Sequence, residues 1–448
     1  PAGTTDINTL LISSTNTANS TLAIGANNTL RLGASGGILL ASGAGSAFIG
    51  SGIGAITTTT YAGNVGRVYL PTTTGSITAG GAPDTPGELM FINSTPNANS
   101  AQVLTINAAI IDNGTAPVSV TYSGWGKKEI NGINTYTGGT IVDLGQVYVR
   151  NNDTAFGSGD VTIKAGGQVF AQDTILSNNF LLSSAATTQG VGLGGIRLDY
   201  AETTGTITLV NDAQISSANY GIVRGQITGS GALLKLGNGT TILTNSGNDY
   251  TGGTVITGGV MLLRGDAVLG SNISGNDIFV GAANSTVGGL VINGPSTIGS
   301  NQRVTLSVSD VNNAAMIGFG PGYGDGSELK IHAQNATNET ATGGNDIYLA
   351  GTQPGLAGRI AVALHGAAGF VRDIAADVAA ISPNTQVWVG ATQANGTFTG
   401  STLSPSNGAI RLGAGGGTLT VANANVLRGD TQLIVGAPDQ SGRTNIGG

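Results

Sequence analysis

Carboxylates are scarce in this chain, with 24 Asp and Glu among 448 residues, so nearly every pairing capable of acid–base work can be inspected. Glycoside hydrolysis needs two carboxyl groups held about 5–9.5 Å apart, one to protonate the leaving group and one to act as nucleophile or base. Two pairs are close in sequence, Asp199 with Glu202 in RLDYAETT and Asp373 with Asp377 in VRDIAADV. Neither neighbours a Trp or Tyr platform on which a sugar would stack. Trp125 and Trp388 stand alone, and Trp125 reads as the cap of a repeat. A structural role is the first reading for both pairs. His332 and His365 sit in unrelated contexts and read as polar loop histidines, with a base or a metal ligand as the alternative. GASGG at 33–37 fits the G-x-S-x-G pattern, but that motif needs a strand-to-helix turn. Here it lies between two strand-like runs and returns as GAGGG at 413–417 without the serine.

Calcium is the one cofactor with candidates. GNDIFVGA at 275–282 and GNDIYLAG at 344–351 are similar to half of a calcium-binding nonapeptide, whose tandem copies supply the Asp oxygens. The two copies are far apart in sequence, so a turn followed by a strand is the first reading. If calcium binds, Asp277, Asp310, Asp325 and Asp346 are its ligands. With no cysteine, the chain has no disulfide framework, no thiolate zinc site and no cysteine nucleophile. The triplets at Asn113, Asn238 and Asn395 fit N-glycosylation but arise readily by chance in an Asn/Thr-rich chain.

Composition narrows the class. Charged residues are 9% against roughly 25% in ordinary soluble proteins. Hydrophobic residues are 40% and net charge is only −7, so the chain has the means to bury a core and is not a disordered polyelectrolyte. Basic residues number 17 and form no stripe, which argues against nucleic acid as a partner. The longest apolar candidate, Ile360 to Ile381, is broken by His365, Gly366, Arg372, Asp373 and Asp377, so no transmembrane helix is expected. The opening residues lack a secretory signal, and the chain reads as a mature or excised piece of something longer.

The elements that must position these groups are short. Runs such as QVYVRNN at 146–152, TITLVND at 206–212 and VMLLRGD at 260–266 alternate apolar with small polar residues, the period of a strand with one buried face. Gly, Asn, Asp and Ser punctuate them, and an all-β chain follows. Internal repetition then selects a solenoid. Residues 120–150 align with 233–264 around a shared kernel, N-x-Y-T-G-G-T. The first copy is Asn134, Tyr136, Thr137, Gly138, Gly139 and Thr140; the second is Asn248, Tyr250, Thr251, Gly252, Gly253 and Thr254. Downstream, DTAFGSGDVTI at 153–163 matches DAVLGSNISGNDIFV at 266–280, and LRLGASGG at 30–37 echoes IRLGAGGG at 410–417. A unit that cannot bury its apolar face alone must stack on its neighbours. The expected fold is therefore a parallel β-helix running continuously over 1–448, with rungs of about 20–25 residues and best-defined repeats at 120–165 and 233–282. An irregular or side-loop region is expected at 310–385. Within it, Val371, Ile374, Ala375 and Val378 have helical spacing before Pro383, predicting one short helix near 369–381, with an outward loop as the alternative.

The run VRGQITGSGALLKLGNGTTILTNSGNDYTGGTVITGGVMLL at 223–263 resembles the autotransporter-associated β-strand repeat, in which a Gly-rich tGsGaLtKlGnGt stretch alternates with the N-x-Y-T-G-G-T kernel. Residues 87–140 resemble the same pattern with more drift. The resemblance implies a long, secreted, right-handed β-helical passenger on a bacterial surface. It also implies an outer-membrane barrel, whose aromatic girdles do not suit a chain with 5% aromatics.

The expectation is an extracellular, cell-surface structural protein: a fibre, sheath or adhesin stalk, not an enzyme. Its partners would be further copies, joined through rod ends or sides into a homo-oligomer or filament, and possible surface glycans. The alternatives are a β-helical polysaccharide-degrading enzyme or phage tailspike-like depolymerase, and a glycan- or host-binding adhesin with specificity in a side loop.

Overall fold

A computed structural model describes residues 3–13, 18–50, 56–61, 64–69, 75–96, 101–183, 195–281, 288–308, 314–333, 343–350, 358–428 and 431–436, with backbone alone at 56–61 and 64–69. The chain forms two compact units, Pro1–Gly225 and Gln226–Gly448. Each is a parallel β-helix, the all-β solenoid that the repeats require.

In the first unit one stack of parallel strands runs Leu10–Ile12, Ser35–Leu40, Gly87–Asn93, Val118–Ser123, Thr140–Val142, Val161–Ile163, Phe180–Leu182 and Ile207–Leu209. A second runs Ser20–Leu22, Ala47–Ile49, Val103–Ile106, Lys127–Ile130, Gly145–Arg150, Gly167–Gln172, Ile196–Asp199 and Ala213–Ser216. Two shorter stacks complete the coil. Thr4–Asp6, Thr29–Leu32, Ser76–Ala79 and Ala109–Ile110 form one, and Ile175–Leu176, Ala201–Thr203 and Tyr220–Val223 the other. Ile56–Tyr61 and Asn64–Tyr69 leave this scheme and pair antiparallel as a hairpin.

Period-two alternation becomes burial on one side. Val118–Ser123 alternates buried and half-buried residues along its whole length. Register then stacks like on like: Tyr122, Val142, Ile163, Leu182 and Leu209 are successive partners, and all are fully buried. Each such aliphatic side chain contributes roughly 1.5–3 kcal/mol by leaving water.

The second unit stacks Leu233–Lys235, Thr254–Ile256, Ile278–Val280, Val304–Ser307 and Asp346–Ala350, with Lys330–Ala333 alongside the last. Its longer stack runs Thr240–Leu243, Gly259–Leu263, Gly288–Ile292, Ala314–Phe319, Arg359–Leu364, Gln386–Ala391, Ala409–Leu412 and Gln432–Val435. Ala314–Phe319 is buried at every position and Arg359–Leu364 at all but its first. Such doubly covered strands read as continuous apolar runs instead of alternating ones. This is why AAMIGF and RIAVAL lack the period of the first unit. These strands lie inside 310–385, together with a short 3-10 turn at Pro321–Tyr323 and the helix described next.

One α-helix is present among the described residues, at Ile374–Ile381. It is shorter than the expected 369–381. Phe370 donates its N–H to Thr397 O at 3.1 Å, which holds the preceding residues extended and leaves Val371 39% exposed. Asp373 caps the helix, accepting the Ala376 N–H, and Ile374, Ala375 and Val378 face the core. No helix among the described residues is long and apolar enough to cross a membrane.

Candidate functional site

The two kernels adopt the same geometry. Asn134 Oδ1 accepts the Ile110 N–H at 2.8 Å, and its Nδ2 donates to Ala155 O at 2.7 Å, 21 residues ahead. Asn248 does the same with Ile227 N and Val268 O, each at 2.8 Å, the latter 20 residues ahead. One side-chain amide thus ties together three successive turns of the coil. Tyr136 and Tyr250 are fully buried, and their hydroxyls pair with Thr140 Oγ1 at 2.5 Å and Thr254 Oγ1 at 2.6 Å. Burial raises both phenols well above their ordinary range. Gly139 and Gly253 have φ of +83° and +87°, where a side chain is strained. Gly138 and Gly252 are required by space: an added Cβ would lie 2.5 Å from Val118 O and 2.3 Å from Gly231 C. The copies differ at the first threonine. Thr137 N and Oγ1 both bond to Asp112, at 3.0 and 2.9 Å, whereas Thr251 N donates to Gly229 O.

The kernel shapes the surface next to it. Around Asn134–Tyr136 and again around Asn152–Phe156 the chain contributes no strand, although Ala109–Ile110 and Ile175–Leu176 are strands one turn to either side. The face is indented there. The indentation is a polar groove of about 400 Å³ lined by Asn134, Thr135, Asp153, Thr154, Gly157, Ser158, Ser177 and Asn178.

Two lysines turn inward. Lys128 Nζ donates to the carbonyls of Ser123, Gly124 and Leu144 at 3.1, 2.6 and 2.8 Å. Lys235 Nζ donates to Leu236, Gly237 and Gly258 at 2.8, 3.2 and 2.9 Å. Each ties the corner beside its own strand to the corner that follows the kernel strand one turn on, Lys128 from the strand after its corner and Lys235 from the strand before it. Desolvation pushes both ammonium groups down to about 7. Lys235 occupies the lysine of the Gly-rich tGsGaLtKlGnGt stretch, but the inward direction of both side chains is legible only as a lysine at an inward position of an alternating strand.

On the outer side of the first unit, Glu129, Tyr148, Phe170 and Arg197 are successive partners in register. The rings lie 4.8 Å apart. Lys127 Nζ sits 5.1 Å from the Tyr148 ring and the Arg197 guanidinium 3.9 Å from the Phe170 ring. Asp199 therefore does have aromatic neighbours on its strand's outer face, assembled from separate rungs. It is nevertheless 2% exposed: Oδ2 accepts Arg197 Nε and Nη2 at 2.9 and 2.6 Å, and Oδ1 the Ala218 N–H at 2.7 Å. Glu202 pairs instead with Arg224 in the next rung. Asp373 caps the helix and accepts the Ser404 N–H, while Asp377 pairs with Arg372 at 2.7 Å. All four carboxylates are engaged by donors of their own chain.

The remaining candidates are dispersed. His332 Nε2 lies 2.7 Å from Asp346 Oδ1, and its ring stacks on Tyr348 at 5.0 Å. His365 Nδ1 lies 2.7 Å from Thr392 Oγ1, and burial followed by the Arg264 charge lowers its pKa. Asp277 Oδ1 accepts the Arg303 N–H and Asp325 Oδ1 the Ser327 N–H; Asp310 lies outside the described residues. Among the described residues no three His, Asp or Glu converge on one point. Trp125 is 37% exposed, and Trp388 is buried in an apolar cluster with Val291, Met316 and Ala361. Asn113 is 3% exposed with its amide donating to Ala82 O and Thr85 O.

Comparison with known proteins gives one distant similarity to report. The chain is 28% identical over 268 residues to the adhesin BmaC autotransporter of Brucella suis biovar 1 (strain 1330), covering 54% of this chain and 7% of that protein. The chain therefore spans a small fraction of the relative's length. No family model matches the chain, and no solved structure matches it.

Proposed function

We propose that this chain is part of an autotransporter-type surface passenger: a β-helical structural protein of the outer cell surface that serves adhesion. The observation that carries the reading is the duplicated kernel, whose Asn side chains join successive turns of the coil and whose Tyr–Thr and Gly–Gly groups shape the corner that feeds each kernel strand into its stack. The similarity to an autotransporter adhesin supports the location and the adhesive role. Engagement of Asp199, Glu202, Asp373 and Asp377 by their own chain's donors favours a binding or scaffolding role over glycoside hydrolysis, which needs two free carboxyl groups across a cleft. Copies of the chain then associate into fibres through the ends or sides of the coil. Scarce charge suits such packing, since outward Thr, Ser and Asn stack without like-charge repulsion.

Labelling intact source cells with an antibody to this chain tests the location, and deleting the chain tests adhesion. Surface labelling, with attachment lost on deletion, is the expected result. Labelling only after the cells are broken overturns the reading. Electron microscopy of native material tests assembly, with isolated short particles rejecting the fibre.

A further inference from the structure

We propose that one outer face of the first unit is the surface through which two copies of this chain pair, with the axes of their coils antiparallel; this rests on the fibre reading above and names the side that makes the contact. A stripe of residues on successive rungs carries it. Met90, Thr121, Ile141, Thr162, Leu181 and Thr208 are partners in register, and all are half-buried. Their neighbours along the strands, Leu89, Val120, Val142, Ile163, Leu182 and Leu209, are fully buried, so the stripe points away from the core. None of its residues is charged.

The order of these residues selects the partner. Aliphatic side chains alternate with threonines, so the bulky groups stand about 9.6 Å apart with a shorter side chain in each gap. Between Ile141 and Thr162 the series inverts. A two-fold axis there, lying along the strands, sets Ile141 over Thr162 of the second copy, Thr121 over Leu181 and Met90 over Thr208, and the reverse of each. Sheets packed face to face lie about 10 Å apart, so each aliphatic group fills the gap over a threonine. A contact about a two-fold needs this property, residue i meeting j while j meets i. An unrelated partner would have to match the alternation independently, whereas a second copy matches it by symmetry. Parallel coils would instead set each residue over its own counterpart, bulk on bulk and threonine on threonine.

The margins of the stripe agree with the same axis. Beside Ile141 and Thr162 lie Asp143 and Lys164, whose charged atoms are 3.2 Å apart and whose side chains are 40% and 53% exposed. The axis places each Asp143 over the second copy's Lys164, so the two pairs close into a square of alternating charge. On the opposite margin Asp160 is level with Gly139 in the register and falls over Gly139 of the second copy. Glu88, beside Met90, accepts the Thr121 hydroxyl at 2.6 Å. An uncharged centre with a polar, charge-matched rim is the make-up of a protein–protein contact.

Sedimentation of the full chain over a range of concentrations tests the pairing. Asp143→Lys and Lys164→Asp should each weaken self-association at least tenfold, and an equimolar mixture of the two variants should regain it, because each supplies the charge the other lacks. Damage to folding within either chain cannot produce that rescue. The chain has no cysteine, so Met90→Cys and Thr208→Cys chains carry one thiol each. A short thiol cross-linker should join the two kinds to each other and neither to itself, since like thiols would stand five rungs, about 24 Å, apart. Like-to-like cross-links overturn the antiparallel register. Association unchanged in both charge variants, or not regained in their mixture, overturns the face. Variants that lose cell attachment with self-association intact assign the stripe to another partner and also overturn it. Fibres of native material that persist in both charge variants remove only the face, whereas isolated particles of native material remove the fibre reading with it.

Discussion

The hydroxyls of Tyr136 and Thr140 share a 2.5 Å hydrogen bond in a fully buried setting, and Tyr250 and Thr254 repeat it at 2.6 Å. Four residues separate the partners, and between them lie the two glycines that reverse the chain. The bond therefore closes the turn that feeds each kernel strand into its stack.

Removing one partner should cost more than removing both. Tyr136→Phe leaves the Thr140 hydroxyl buried and unpaired, for about 1–3 kcal/mol, whereas Tyr136→Phe with Thr140→Val should cost less than the sum of the single changes. Hydrogen exchange at the amides of Thr140–Val142 reads the local effect without assuming two-state unfolding of the whole chain. Additive losses would show that the hydroxyls are not coupled.

The glycines of the kernel should not be equivalent. Gly138→Ala places a Cβ 2.5 Å from Val118 O, while Gly139→Ala meets nothing nearer than Asp160 O at 3.2 Å but must hold φ near +83°. Strain at positive φ costs roughly 1–2 kcal/mol, and the backbone collision at Gly138 should exceed it. Thermal unfolding midpoints of the two variants test the order, and a larger drop for Gly139→Ala would contradict it.

Lys128 and Lys235 should make stability rise with alkalinity. Burial places their folded-state pKa near 7, below the ordinary lysine value of about 10.4. Between those limits the unfolded chain binds protons that the folded chain does not, so stability increases with pH over that window, and the desolvation cost is fully present below about 7. Denaturation from pH 7 to 10 should show this slope, reduced in Lys128→Met and Lys235→Met. Each substitution also strands three carbonyls that the ammonium had satisfied, so both variants should be less stable than the parent. A slope that survives both substitutions would assign it to other groups.

Asp199 should matter to folding and not to turnover. Asp199→Ala leaves Arg197 without its carboxylate and the Ala218 N–H without its acceptor, a loss of about 3–5 kcal/mol by analogy with other broken buried ion pairs. Released reducing ends from polysaccharides should be indistinguishable between this variant and the parent. A selective loss of depolymerisation in a folded Asp199→Asn protein would restore the enzymatic alternative.

Sequence alone determined the all-β class, the stacked repeats and the kernel residues. Alternation of apolar and polar residues is a local property of a strand with one buried face, and a repeated kernel such as Asn134–Thr140 and Asn248–Thr254 is visible as repetition. Only the tertiary structure decided what lies next to what. Tyr148 meets Phe170, and Asn178 reaches the carbonyls of Gly157 and Gly159, because register places residues about one turn apart side by side. The helix begins at Ile374 because a backbone bond from Phe370 to Thr397 holds the residues before it extended. The burial of Lys128 and Lys235 and the unpartnered, buried Asn178 Oδ1 were equally hidden. Whether a polar side chain is paired depends on how a corner or an amide meets the turn above it, and that distance is set by the coil and not by the neighbouring letters.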